Sequence, residues 1–237
     1  MSDLSLIPTE HDPHPLLKLK GKEKRQYAIT SFLITVFLTI TLYVFPDFSI
    51  LEYATTRGVY FVLYIFGFSP RMFMYELGLN ELGFFDSLIY SIYDGKRSTF
   101  PSISIDGTTQ NNFIIVRACT GMQAGALLIG LIASTPGEMK TKIKTGYIVL
   151  FTLFIGNIFR IAAQIALTTL FIEVFHLDFE TVWAFSHDWT GRPIGFLATI
   201  GFTLYIEKSG IRILDTITIW MDELLSIGTF FLGGKKG

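Results

Sequence analysis

Residues Gly146–Leu170 read GYIVLFTLFIGNIFRIAAQIALTTL, an apolar run interrupted by Asn157, Arg160, Gln164 and Thr168. Roughly 20 apolar residues cross a bilayer core of about 30 Å, so this run predicts a membrane span reaching from Gly146 to about Phe175. The polar residues recur at intervals of three and four, which places them on one face of a helix. An ionisable group inside a span costs on the order of 2.5–3.5 kcal/mol on insertion scales, so Arg160 is expected to face the interior of a bundle. The span therefore predicts neighbours.

Those neighbours are found by working outward. A run from Tyr27 to Val44 follows Lys18, Lys20, Lys22, Lys24 and Arg25 and reads as a retained anchor, because it is too long for a signal peptide and no small-residue cleavage site follows. A second run, Phe113–Ser134, contains Arg117, Cys119 and Gln123 and empties into Lys140, Lys142 and Lys144. A last one extends from about Arg192 to Ile206, ahead of Lys208 and Arg212. Lysine and arginine gather on the cytoplasmic side, so the arm, the lysine loop and the tail face inward, and the loops near Phe100 and His187 face outward.

Composition agrees with a membrane protein. Of 237 residues, half are hydrophobic and 16% are charged, against about a quarter charged in soluble domains. One cysteine closes no internal disulfide, and four scattered histidines offer no zinc module. A net charge of −1 provides no basic surface for nucleic acid. The expected architecture is an all-α multi-pass bundle with a small extracytoplasmic β-hairpin and a helical insert. It divides into a cytoplasmic arm (1–26), a membrane-embedded domain (27–206) and a cytoplasmic amphipathic tail (207–237).

Three segments lie outside this plan. Leu51–Phe68 carries Glu52 and Arg57, leaving about a dozen uninterrupted apolar residues, a length typical of interfacial or re-entrant segments. It is expected as a helix lodged in the outer half, or as a hairpin whose second leg is Phe84–Tyr93. Ser102–Thr109 alternates isoleucine with polar residues, and Asp106-Gly107 suits a tight turn, so an outer hairpin is expected. In Ile211–Leu225, Leu214, Ile217, Met221 and Leu224 recur at helical spacing, predicting an amphipathic helix packed on the inner end of the bundle.

Depth singles out three side chains. Counted from the cytoplasmic end of each span, Cys119, Arg160 and Arg192 all lie about 14–15 residues in, near 22 Å at helical rise. Taken alone, a membrane cysteine behaves as a small buried hydrophobe. Beside two guanidinium groups its thiolate gains support, and the same forked donors suit an oxyanion. Cys119 and Gln123 are expected on one helix face, while Arg117 points elsewhere, toward the outer headgroups. His187, just outside, is the candidate proton carrier, because arginine is a poor base. Asp188 orients it if the local backbone brings the two side chains together.

Three blocks, Ala118-Cys-Thr-Gly-Met-Gln, Asn157-Ile-Phe-Arg-Ile and His187-Asp-Trp-Thr-Gly-Arg, together resemble the signatures of the exosortase/archaeosortase family. The resemblance covers about Ser102 to Ile206. It implies a multi-pass cysteine transpeptidase acting on exported proteins that end in a short motif, an apolar helix and a basic cluster. It also implies Cys119 as nucleophile, Arg160 as its support, and a third catalytic position that is arginine or histidine by subgroup, here Arg192 or His187. Asn157, Gln123, Gln164 and Asp188 are supporting candidates. A membrane lipid is the acceptor suggested by the family, and neither cofactor nor metal is called for. A rival reading is a small anion transporter or channel lined by Arg160, Arg192 and the polar stripe. Another is a non-catalytic assembly subunit that uses the stripe for helix association.

Overall fold

The computed structural model describes residues 15–44, 49–76, 88, 99–106 and 112–233. The chain is mostly helical, with a small sheet inserted. Its helices are α1 (Gly21–Val44), α2 (Ser49–Ile65), α3 (Met122–Ser134), α4 (Met139–Phe175), α5 (Phe179–Ala184), α6 (Arg192–Lys208) and α7 (Ile213–Gly233). Among the described residues three strands, β1 (Pro70–Glu76), β2 (Thr99–Ile105) and β3 (Phe113–Ile114), form one antiparallel sheet in the order β1-β2-β3.

The spine is α4, whose 37 residues extend about 55 Å at helical rise. Helices α1 and α4 are each long and apolar enough to cross a bilayer. Large apolar side chains such as Phe37, Phe151, Phe159, Phe196 and Leu197 stand exposed on α1, α4 and α6. Soluble monomers rarely expose contiguous apolar surface on that scale.

α1 lies against α3 through small residues and hydroxyls. Thr35 shares a hydrogen bond with Ser134 at 2.7 Å and donates to the Gly130 carbonyl at 3.3 Å. α2 runs beside the middle of α4, with Leu51 near Leu150 and Phe151 and Gly58 against Ile158. Glu52 turns inward and is fully buried, whereas Arg57 remains exposed over the Tyr53 ring, 4.7 Å from its centroid. The two charges that interrupt the apolar run thus leave opposite faces of one helix. Leu51–Phe68 is helical over most of its length, as both expected paths require, and the second leg of the hairpin alternative, Phe84–Tyr93, falls outside the described residues apart from position 88.

Phe113–Ser134 is not the continuous helix expected of it. Its β-branched start, Phe113-Ile-Ile-Val, pairs with β2, as such residues favour, and Arg117–Thr120 then makes a 3₁₀ turn. Gly121 takes φ +75° before α3 begins at Met122, a left-handed conformation open to glycine. The outer hairpin also differs from its expected form. Pairing of Ile103 with Phe113 makes the connection longer than a two-residue turn at Asp106-Gly107, and β1 adds an unforeseen third strand. Asp106 instead pairs with Arg71 across the sheet, at 2.6 Å.

The tail helix forms with its buried face rotated from the expected one. Ile213, Thr216 and Ile219 are buried and Ile217 is half-buried, while Leu214, Met221 and Leu224 are exposed. The cause is what surrounds it: Ile213 packs with Leu131, Val149, Ile206 and Ile211 of the bundle, Ile219 packs with Leu16 and Ala28, and Lys24 binds Asp222 at 2.8 Å. Helical spacing identifies a stripe, but the neighbour that arrives decides which stripe is covered. Arm and tail consequently meet at one end of the molecule.

Candidate functional site

The polar stripe of α4 does its work through backbone atoms of other segments. Asn157 donates from Nδ2 to the carbonyl of Cys119, fixing the 3₁₀ turn that carries the thiol. Its Oδ1 accepts from Arg160 Nε at 3.0 Å. One amide therefore orients the cysteine turn and the guanidinium together. Gly121, next to that turn, lies against Asn157 and Leu153, so a Cβ there would crowd both. Among the described residues no other side chain accepts from Arg160, which leaves its terminal nitrogens for a ligand.

Two turns further along, Gln164 donates to the Ser186 carbonyl at 3.4 Å, and Thr168 shares a 2.8 Å hydrogen bond with the Ser186 hydroxyl. Ser186 belongs to a π-helical turn, Phe185–Gly191, inserted between α5 and α6. Such turns are found disproportionately at functional sites. Gly191 closes onto the Gln164 amide so tightly that any Cβ would collide with it. The stripe thus anchors the cysteine turn near its lower end and the histidine turn near its upper end.

Within the π-helical turn His187 Nδ1 lies 2.8 Å from Asp188 Oδ1, and Asp188 Oδ1 lies 3.1 Å from Arg192 Nε. The adjacent side chains do meet, because the local backbone turns them to one side. The hydrogen bond from His187, and after it the charge of Arg192, hold the Asp188 carboxyl below the usual carboxylate range. An ionised Asp188 accepts the Nδ1 proton and leaves Nε2 as the nitrogen that exchanges protons.

Cys119, Arg160, Gln164 and His187 all border one cavity of about 280 Å³. The thiol is half-buried and packs beside the cluster of Val59, Ile103, Ile161 and Ile165. A second cavity of about 440 Å³ lies between α3, α4 and α6 and meets the first at Arg160. Arg192 borders neither: its side chain is 72% exposed and acts on Asp188. Cys119 and Arg160 border one cavity, whereas Arg192 begins α6 outside it. Gln123 also lies apart from the thiol, donating to the Tyr43 hydroxyl at 3.0 Å. The reason is the break at Gly121, which ends the helical phase assumed between positions 119 and 123.

Sequence reasoning missed the aromatic wall. Phe179 and Trp183 stack at 6.1 Å, Trp183 and His187 at 5.5 Å, and Phe113 closes against both Phe179 and Trp183. A signal was present, since Phe179, Trp183 and His187 are spaced by four, one helical face. For Ser186 no local signal exists; its role depends on Gln164 and Thr168 from another helix. The α5 start is conventional by comparison, with Asp178 accepting from the Thr181 amide at 2.9 Å as an N-cap.

The arrangement can hold a carbonyl between a thiol and a forked cation, with a histidine on the same cavity. Among the described residues no group of His, Cys, Asp and Glu is placed to hold a metal ion. Compared with known proteins, the chain matches no family model, and no curated protein or solved structure is found to be similar.

Proposed function

We propose that the chain is a multi-pass membrane cysteine transpeptidase of the exosortase/archaeosortase type, acting on exported proteins near the extracytoplasmic face of the plasma membrane. The observation that carries this reading is the cavity shared by Cys119, Arg160 and His187. Four crossings are formed by α1, α3 with its preceding turn, α4 and α6. Helix α3 alone covers about 20 Å, and the 3₁₀ turn adds about 8 Å, together close to the hydrocarbon thickness. This puts Cys119 at the outer boundary, with α2 and the sheet in or beyond the outer leaflet. Irregular backbone at membrane depth is tolerated where it lines a cavity. The meeting of the basic arm and tail at one end supports placing both termini in the cytoplasm.

In this mechanism the client's C-terminal signal brings its scissile carbonyl into the cavity. Cys119 Sγ, as thiolate, bonds to the carbonyl carbon, and the developing oxyanion is held by the terminal nitrogens of Arg160. Collapse breaks the C–N bond, and His187, oriented by Asp188, delivers a proton to the departing amine. The thioester that remains is resolved by an incoming amine, for which a lipid headgroup is the proposed source, or by water. The anion-path alternative requires Arg160 and Arg192 along one conduit, and the Asp188 pairing of Arg192 argues against it.

The test is client processing in membranes. Cys119→Ala is expected to abolish it with the protein still inserted, and wild type is expected to yield a hydroxylamine-sensitive client adduct on Cys119. Normal processing by Cys119→Ala would remove covalent catalysis. Arg160→Lys is expected to lower turnover by about 10²–10³-fold, because an ammonium keeps the charge and loses the fork. Wild-type turnover in that variant would remove the oxyanion assignment.

A further inference from the structure

Four consecutive residues, Asn112 to Ile115, border the Cys119 cavity. Side chains alternate between the two faces of a sheet, so a cavity reached by four in a row lies along the strand's edge. Among the described residues β3 is an outer strand, with β2 on one side only. The register shows which backbone groups point the other way. Ile115 donates its amide to the Pro101 carbonyl at 3.0 Å, and Phe113 sits opposite Ile103. Hydrogen-bonded and non-hydrogen-bonded pairs alternate along an antiparallel ladder, so residues 113 and 115 face β2. Ile114, opposite Ser102, directs its N–H and C=O away from β2 and along the cavity. Among the described residues no group takes either bond.

An edge with an unused donor and acceptor side by side is a template for another strand. The remaining walls specify what kind of strand. Phe113, Phe179, Trp183 and the His187 ring offer an apolar, aromatic surface, Arg160 supplies donors for a carbonyl oxygen, and among the described residues no carboxylate borders the cavity. We infer that the outer edge of β3 is a binding subsite for an extended peptide, which pairs with Ile114 as an added strand, sets an apolar side chain on the aromatic wall and leads its carbonyl to Cys119. This deepens the transpeptidase reading by naming how the client backbone is held, and it rests on that reading only for the direction of the peptide.

The full chain in lipid nanodiscs provides the test, read as the mass added to its single cysteine. Acetyl-Ala-Ala-Phe chloromethyl ketone alkylates a thiolate by displacement of chloride, forming a thioether. It is expected to label Cys119 at least tenfold faster than chloroacetone. Methylating a peptide nitrogen that pairs with the Ile114 carbonyl should cut that rate by about three- to tenfold. Ile114→Pro removes an amide that points away from β2, which an edge strand tolerates. It should cause a similar loss, with the iodoacetamide rate at Cys119 held within twofold. If Ile114→Pro alters the iodoacetamide rate as well, the N-methylated reagents on the wild-type chain decide. Equal rates for the peptide reagent and chloroacetone, for methylated and unmethylated reagents, or for the peptide reagent and decyl chloromethyl ketone would overturn the subsite. Labelling reports binding and not turnover, so normal client processing by Cys119→Ala would defeat the transpeptidase reading and leave this subsite standing.

Discussion

Polar side chains lie among apolar ones in two seams of this molecule, and they are used in opposite ways. Between α1 and α3, Thr35 and Thr39 donate to the carbonyls of Gly130 and Ala126, which already belong to a regular helix. Between α4 and the irregular segments, Asn157 and Gln164 donate to the carbonyls of Cys119 and Ser186, in a 3₁₀ and a π-helical turn. The first seam joins surfaces that would exist without it. The second fixes backbone that has no regular neighbour to hold it, and Cys119 and His187 are carried on that backbone. Polarity in an apolar helix therefore indicates function most strongly when its partner lies outside regular structure.

Substitutions in the two seams sharpen the contrast. The largest effect is expected from Asn157→Ala, which releases the Cys119 turn and Arg160 together. Displacement of reacting groups by about 1 Å costs on the order of 10²-fold, and client turnover should fall by that much. Alkylation of Cys119 by iodoacetamide should change as well, because the turn itself is freed. Asp188→Asn comes next, with turnover about tenfold lower at neutral pH through lost orientation of His187. The sign of its pH dependence follows from the lowered Asp188 carboxyl. Its contribution is fully present above the ordinary carboxylate value of about 3.9 and is lost as pH falls through the lower folded value. An acid limb in turnover or melting that is identical in wild type and Asp188→Asn would break this assignment. The smallest effect belongs to Thr35→Val, at about 0.6 kcal/mol of stability with turnover unchanged. Should Thr35→Val depress turnover as much as Asn157→Ala, the distinction between the seams would fail.

Much of the site was legible because helical periodicity is local. Asn157, Arg160, Gln164 and Thr168 share a face in any α-helix, and α4 is one. Cys119 and Arg160 border one cavity, although the helix along which their depths were matched breaks at Gly121. Gln123 lies off the expected face because helical phase does not continue through Gly121, where φ is +75°. Arg192 was misplaced because equal depth does not fix direction, and Asp188 turned it away from the cavity. The tail helix shows the same limit: helical spacing groups its apolar residues, yet the bundle at Ile213 and the arm at Ile219 decide which of them are covered.

By itself the sequence determined where long apolar helices run and which polar residues share a stripe. These properties depend on rise per residue and side-chain chemistry, and neither needs a distant partner. Tertiary structure alone decided that the thiol sits on a 3₁₀ turn, that His187 rather than Arg192 reaches its cavity, and that a strand edge lies alongside. Each of those outcomes depends on contacts between segments far apart in the chain, such as Asn157 with Cys119 and Thr168 with Ser186. Local preference leaves such irregular backbone undetermined, and the hydrogen bonds that arrive from elsewhere select its form.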